Sequence, residues 1–228
     1  MESAEKYDLH GAHLPFHSKK TGVQLSPVDQ SINGDAAKMN MLPVLSFAHL
    51  LLEKAVKSGG FAIDATAGNG HDTVFLAKRV GEGGKVFAFD IQPEAVRRTK
   101  ERLEKEGLVT RAELFCTGHE HASECIPAAL HGKISGAVFN LGYLPDSDKT
   151  VITRPESTIA ALEQIFSMLE TGGIIAVVVY HGHEGGAYER DRLLDYVKQL
   201  DQKKAHVLRY EFLNQANHPP FLIAIEKR

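Results

Sequence analysis

The strongest constraint on this chain is the regular alternation, from residue 42 onward, of short apolar runs and amphipathic stretches. Apolar runs fall at 61–66, 85–91, 112–116, 134–141, 173–180, 207–212 and 221–226. Helical periodicity fills 42–56, 72–80, 93–107, 123–130, 155–170 and 188–200. Short runs that are apolar without strict alternation suit strands buried on both faces. Strand and helix in repeated succession predict a parallel sheet covered on both sides. The last two strands break the rule. Only the loop NQANHPP, 214–220, separates them, so they should pair as an antiparallel hairpin.

A parallel core ending in such a hairpin is the α/β pattern of class I methyltransferases. It predicts a Rossmann-like, seven-stranded, mostly parallel sheet with helices on both faces. A two-half dinucleotide fold would continue with a crossover helix instead. The chain of 228 residues, 43% hydrophobic, is enough for one sizeable core. Residues 39–228 should form that catalytic domain. Residues 1–38 are polar and read as a weakly structured arm, with His10, His13 and His17 as scattered solvent-facing residues. No carboxylate or cysteine cluster joins them, so no metal site is expected. The net charge of −3 argues against gripping long nucleic acid through bulk charge, but allows a locally basic RNA site. Two unclustered cysteines fit a reducing compartment. No apolar run suits a bilayer span and the first ten residues carry no secretory core, so a cytoplasmic protein is expected, with no membrane partner.

Ligands of open α/β sheets bind at the carboxyl ends of the strands. There the first strand runs into DATAGNGHDT, 64–73. Gly68 and Gly70 can adopt positive φ and let a ligand approach the backbone. The third glycine of the nicotinamide fingerprint is missing, and Asp72 at the helix start would repel a pyrophosphate. Asp72 or Asp64 would suit the ammonium group of a methionine moiety. The second strand ends in Asp90, placed to accept hydrogen bonds from ribose hydroxyls, with Ile91 and Gln92 flanking an adenine. After the third strand, His119 or Glu120 could meet the adenine edge. Together these features point to S-adenosylmethionine. The fourth strand ends in FNLGYLP, 139–145, which resembles a stretched Asn-Pro-Pro-Tyr amino-methylating motif. Asn140 could accept a hydrogen bond from an amine and Tyr143 could stack on a base. Tyr180, His181, His183 and Glu184 end the fifth strand, where the histidines would shape the substrate pocket or accept a proton. Asn214, Asn217 and His218 should reach the same rim.

DATAGNGHDTVFLAK, FAFDIQ, FNLGYLPDSDK, VVVYHGHEGG and NQANHPPFLIAIEK together resemble the YtqB-type rRNA methylase family, whose characterised members are the MnmM tRNA methyltransferases. The resemblance covers about residues 40–228. It departs at Ala67, where relatives often carry Met, and at GHEH, where many show Ser-His-Asp. It implies N-methylation of the 5-aminomethyl group of (2-thio)uridine at the tRNA wobble position, with the anticodon loop as partner. It also implies a cofactor site of Asn69, His71, Asp90, Gln92, His119 and Glu120. No obligatory protein partner is expected, and a homodimer is compatible with the sequence. Lys149, Arg154, Arg190 and Arg209 are candidate phosphate contacts, with Lys19 and Lys20 adding reach. The competing readings are a methyltransferase acting on rRNA or a small amine, and a non-catalytic module binding the cofactor or RNA.

Overall fold

The structure, a computed structural model, describes residues 40–142, 153–182 and 185–228. The expected arm, Lys149, Tyr143, His183 and Glu184 lie outside the described residues. Seven strands form one sheet: β1 (Phe61–Asp64), β2 (Lys85–Asp90), β3 (Ala112–Cys116), β4 (Ile134–Leu141), β5 (Leu169–Val179), β6 (Ala205–Tyr210) and β7 (Phe221–Lys227). Their order is β3-β2-β1-β4-β5-β7-β6. The first five run parallel, and β7 pairs antiparallel with both β5 and β6. This is the class I methyltransferase sheet expected from the alternation.

The helices are α1 (Val44–Ala55), α2 (His71–Val80), α3 (Pro93–Lys105), the single turn α4 (Ala122–Cys125), α5 (Pro155–Met168) and α6 (Gly186–Lys198). Successive strand residues face opposite ways, which divides the core in two. Ala62, Val86, Val138, Ala176 and Leu222 pack against Ala48 and Leu52 of α1, Leu76 and Val80 of α2, and Leu103 of α3. Ile63, Phe87, Phe139, Val177 and Ile223 pack against Leu162 and Ile165 of α5 and Leu193 and Val197 of α6. Burial on both faces explains why β1, β2 and β4 read as unbroken apolar runs.

Several boundaries differ from the sequence expectation, and three of them have a clear structural cause. The helix expected over 123–130 is broken by Pro127, which lacks an N–H and pushes Ile126 into extended backbone (φ −85°, ψ 128°). The helix expected to end at residue 170 stops at Met168, and β5 begins at Leu169, paired with Ile134. Strand β6 begins at Ala205, two residues before its apolar run, because backbone pairing with Lys227 extends it. No described helix is long and apolar enough to cross a membrane.

Candidate active site

The carboxyl ends of β1, β2, β4 and β5 form one rim. The turn after β1 is tied to the sheet at each step. Ala65 N–H donates to the Val138 carbonyl (2.9 Å), Ala67 N–H to Phe89 (2.9 Å), and Gly70 N–H returns to Ala67 (2.7 Å). Gly68 and Gly70 have φ of 53° and 78°, which glycine adopts without a Cβ penalty. Gly70 serves the packing of α3. A Cβ there would lie 2.8 Å from Thr99 Cα, so its absence lets α3 pack against the turn. Asn69 faces the same helix, with its Oδ1 accepting from Arg98 (3.2 Å) and its carbonyl from Arg102 Nε (2.6 Å). The side-chain role toward a cofactor expected for Asn69 is therefore not what this packing gives. His71 opens α2 at the surface.

Asp90 closes the turn from β2. Its Oδ2 accepts Gly68 N–H and its Oδ1 accepts Gln92 N–H, both at 2.9 Å. Burial pushes its carboxyl above the usual range. Ile91 beside it is exposed, available to an apolar ring face. Gln92 contributes its backbone here.

Asp64 departs from expectation. It has no exposed surface, its Oδ2 accepts the Thr73 hydroxyl (2.6 Å) and its Oδ1 accepts Thr66 N–H (3.2 Å). It holds the turn from beneath and does not reach an ammonium group. Burial, then the like charge of Asp72, pushes its carboxyl up to about 7. Asp90 adds a smaller push in the same direction. Three carboxylates within electrostatic reach make the rim hostile to a pyrophosphate and hospitable to a cation.

Asp72 is the hub on the β4 side. Its Oδ2 accepts Asn140 Nδ2 (2.5 Å) and its Oδ1 accepts His49 Nε2 (2.6 Å). The Asn140 N–H is held separately by the Thr66 hydroxyl (2.7 Å). Asn140 Oδ1 is buried and has no hydrogen-bond partner among the described residues. Nearby, burial and then Asp72 push the Tyr180 phenol above its usual range.

His119 and Glu120 take different positions. The His119 ring is buried, Nδ1–H donates to the Ala65 carbonyl (2.9 Å), and Nε2 is an acceptor without a partner among the described residues. Burial lowers its pKa, so the ring is neutral near pH 7. The Glu120 carboxylate folds over Gly118, within 2.5 Å of where a Cβ would stand. Its carbonyl accepts Gln164 Nε2 (2.6 Å). At the β5 end the His181 ring meets Phe221 (5.5 Å) and His218 (5.8 Å) edge-on. Burial, then Arg190, lowers the His181 pKa. Asn217 and His218 hold positive φ, which fixes how His218 approaches.

Two groups escaped sequence reasoning. His49 lies on α1 within an apolar stripe, and only its polarity there signals a role. The second group anchors the end of β4. Gly142 N–H donates to the Thr153 hydroxyl (3.1 Å) and Thr153 N–H to the Gly142 carbonyl (3.1 Å). Glu189 of α6, buried, accepts the hydroxyls of Thr153 (2.7 Å) and Thr158 (2.9 Å). These residues lie far apart in sequence, with no local motif.

The rim fits S-adenosylmethionine chemically. Asp90 offers acceptors to a diol, Asp72 suits a cationic group, and His119 Nε2 and Asn140 Oδ1 are acceptors without a partner among the described residues. Comparison with known proteins agrees. Residues 86–226 match the family described as "Putative rRNA methylase". A protein of Arabidopsis thaliana named "tRNA (mnm(5)s(2)U34)-methyltransferase, chloroplastic" is 34% identical over 189 residues, covering 79% of this chain and 68% of that protein. A crystal structure of an rRNA methylase of this description from Clostridium thermocellum is 43% identical, with a TM-score of 0.80 over 83% of this chain and 100% of its own. A Streptococcus mutans methyltransferase solved in complex with SAH is 40% identical, with a TM-score of 0.75 over 82% of this chain and 99% of its own. Fold, rim chemistry and relatives agree: the chain is a methyltransferase whose cofactor is S-adenosylmethionine, and it belongs to the family described as "Putative rRNA methylase".

Proposed function

We propose that this methyltransferase N-methylates the 5-aminomethyl group of uridine or 2-thiouridine at the tRNA wobble position, giving 5-methylaminomethyluridine. The observation that carries the reading is the buried Asn140 Oδ1 beside Asp72, an acceptor with no hydrogen-bond partner among the described residues. A lone amide acceptor matches an amine, which can donate one N–H while its lone pair stays free to attack. The name of the Arabidopsis thaliana relative supports the same acceptor.

When bound, the cofactor supplies a sulfonium methyl that passes to the amine nitrogen and leaves a thioether. Asp90, Gln92, His119 and Asp72 would hold it, with Ile91 against the base. Asn140 orients the amine, and positioning supplies much of the rate. The amine is largely protonated in water and must lose a proton before attack. His181, kept neutral by burial, stands on the neighbouring strand end as an acceptor for it. The acceptor is a single-stranded anticodon loop, whose bases can be splayed into a pocket. Arg154, Arg190 and Arg209 would meet its phosphates; Arg190 is paired with Asp191, and Arg209 with Glu211. Residues 39–228 are the catalytic unit and the arm would add reach toward the RNA.

The test is methylation of purified tRNA carrying 5-aminomethyluridine, read by nucleoside mass spectrometry. The expected result is conversion to the methylamino nucleoside, lost in Asn140→Ala with cofactor bound. The family description favours a second acceptor, rRNA. Methylation of rRNA with an unchanged wobble nucleoside would replace the first reading with that one.

A further inference from the structure

An amide is ambiguous at a reacting centre, because one end accepts hydrogen bonds and the other donates them. Asp72 removes the ambiguity at Asn140. An ionised carboxylate only accepts, so the group 2.5 Å from Asp72 Oδ2 must be the amide NH2. Turning the amide over would set two oxygens against each other. The other carboxylate oxygen accepts from His49 Nε2 at 2.6 Å, which must therefore carry the proton. The His49 ring is fixed in turn by stacking on Phe75 of α2, with centroids 4.0 Å apart and planes 10° apart. Asp72 and His49 are both largely shielded, with side-chain exposures of 14% and 28%. Thr66 holds the Asn140 backbone independently.

We propose that His49 and Asp72 are positioning residues that lock Asn140 with its oxygen toward the acceptor nitrogen. The site thereby selects an acceptor that still carries an N–H. With the amide reversed, its NH2 would donate to the amine lone pair and compete with the methyl group. This inference rests on the amine-methylating reading above and deepens it. Without a donor at Asp72 Oδ1, the carboxylate loses one of its two restraints and its hold on the Asn140 amide loosens. His49 does this from α1, a helix that precedes the cofactor turn and contributes none of its residues.

The test uses the full chain with His49→Phe, which keeps a flat ring on Phe75 but has no donor, and His49→Gln, whose amide can donate. The first readout is single-turnover methylation of the aminomethyl tRNA at saturating cofactor. His49→Phe should lower the single-turnover rate constant about 10- to 100-fold, the range of one charge-assisted hydrogen bond, with little change in the half-saturating tRNA concentration. His49→Gln should recover most of the rate. The second readout needs no tRNA. Sinefungin carries an amine where the cofactor carries its methyl sulfonium, so it can donate to Asn140 Oδ1, and SAH cannot. Calorimetry should show His49→Phe losing sinefungin affinity by a similar factor while keeping SAH affinity, and His49→Gln restoring it. An unchanged sinefungin-to-SAH ratio in His49→Phe overturns the proposal. So does equal failure of both variants, or a parallel loss of SAH affinity. Should His49→Phe not fold, Asp72→Asn takes its place, since it lets the Asn140 amide turn over; an unchanged ratio there overturns the proposal equally. If the wild-type protein leaves the tRNA unmethylated but the ratio responds as described, the substrate reading fails and the positioning role stands.

Discussion

Asp64→Asn tests the electrostatics beneath the site. Asp64 has no exposed surface, and burial with the like charge of Asp72 raises its carboxyl from 3.8 to about 7. In the unfolded chain the group returns to its ordinary value. Between the two values the folded protein holds a proton that the unfolded chain has released, so stability falls as pH rises. The contribution is complete below the unfolded pKa and lost as pH rises through the folded one. At about 1.4 kcal/mol per unit, the loss between roughly pH 5 and pH 8 comes to a few kcal/mol. Asparagine removes the titration and can fill the place. Its oxygen accepts Thr66 N–H, and its NH2 can donate to the Thr73 hydroxyl, which accepts as readily as it donates. Urea denaturation of both proteins without cofactor, at several pH values across that window, isolates the effect. The stability of Asp64→Asn relative to the wild type should rise by a few kcal/mol across it. Parallel curves would show that Asp64 is ionised throughout and that the burial argument is wrong.

Four further outcomes follow from the same geometry. Gly70→Ala should destabilise by about 3 kcal/mol or more, since it combines the left-handed backbone cost with a Cβ 2.8 Å from Thr99 Cα. Gly107→Ala, at φ 68° with open space around it, should cost about 1 kcal/mol in the same urea assay. Asp90→Ala removes the acceptor of Gly68 and Gln92 N–H as well as the proposed diol contact, and should weaken S-adenosylmethionine binding about 100-fold by calorimetry. Glu189→Ala strips two threonine hydroxyls of their acceptor and leaves a cavity, and should lower stability by about 3 kcal/mol in urea.

What was legible in the sequence follows from how local each signal is. Strands β1, β2 and β4 announce themselves because both faces are buried, so most positions select an apolar or small residue. The hairpin of β6 and β7 was visible in the absence of a helix between them. The short life of α4 was carried by Pro127, a signal outweighed by the helical spacing around it. Site geometry was less legible. The acidic and glycine positions of the rim stood out, but not which way each faces. Asp64 turned inward because Thr73, nine residues on, supplies a buried donor. Gly70 turned out to serve Thr99, on a helix the turn does not adjoin in sequence. His49 and Asp72 are 23 positions apart, and Glu189 stands 36 from Thr153. Pairings of that kind are set by tertiary packing, and no periodicity or spacing encodes them.

The central claim is that the rim of Gly68, Asp72 and Asp90 seats the cofactor with its transferable methyl toward Asn140 Oδ1. A crystal structure of the protein with S-adenosylmethionine bound tests it most directly. The account predicts ribose hydroxyls on Asp90 and the methyl carbon directed at the open side of the Asn140 oxygen, with the Asn140–Asp72 hydrogen bond intact. A cofactor seated away from Asp90, or a methyl turned away from Asn140, would contradict it.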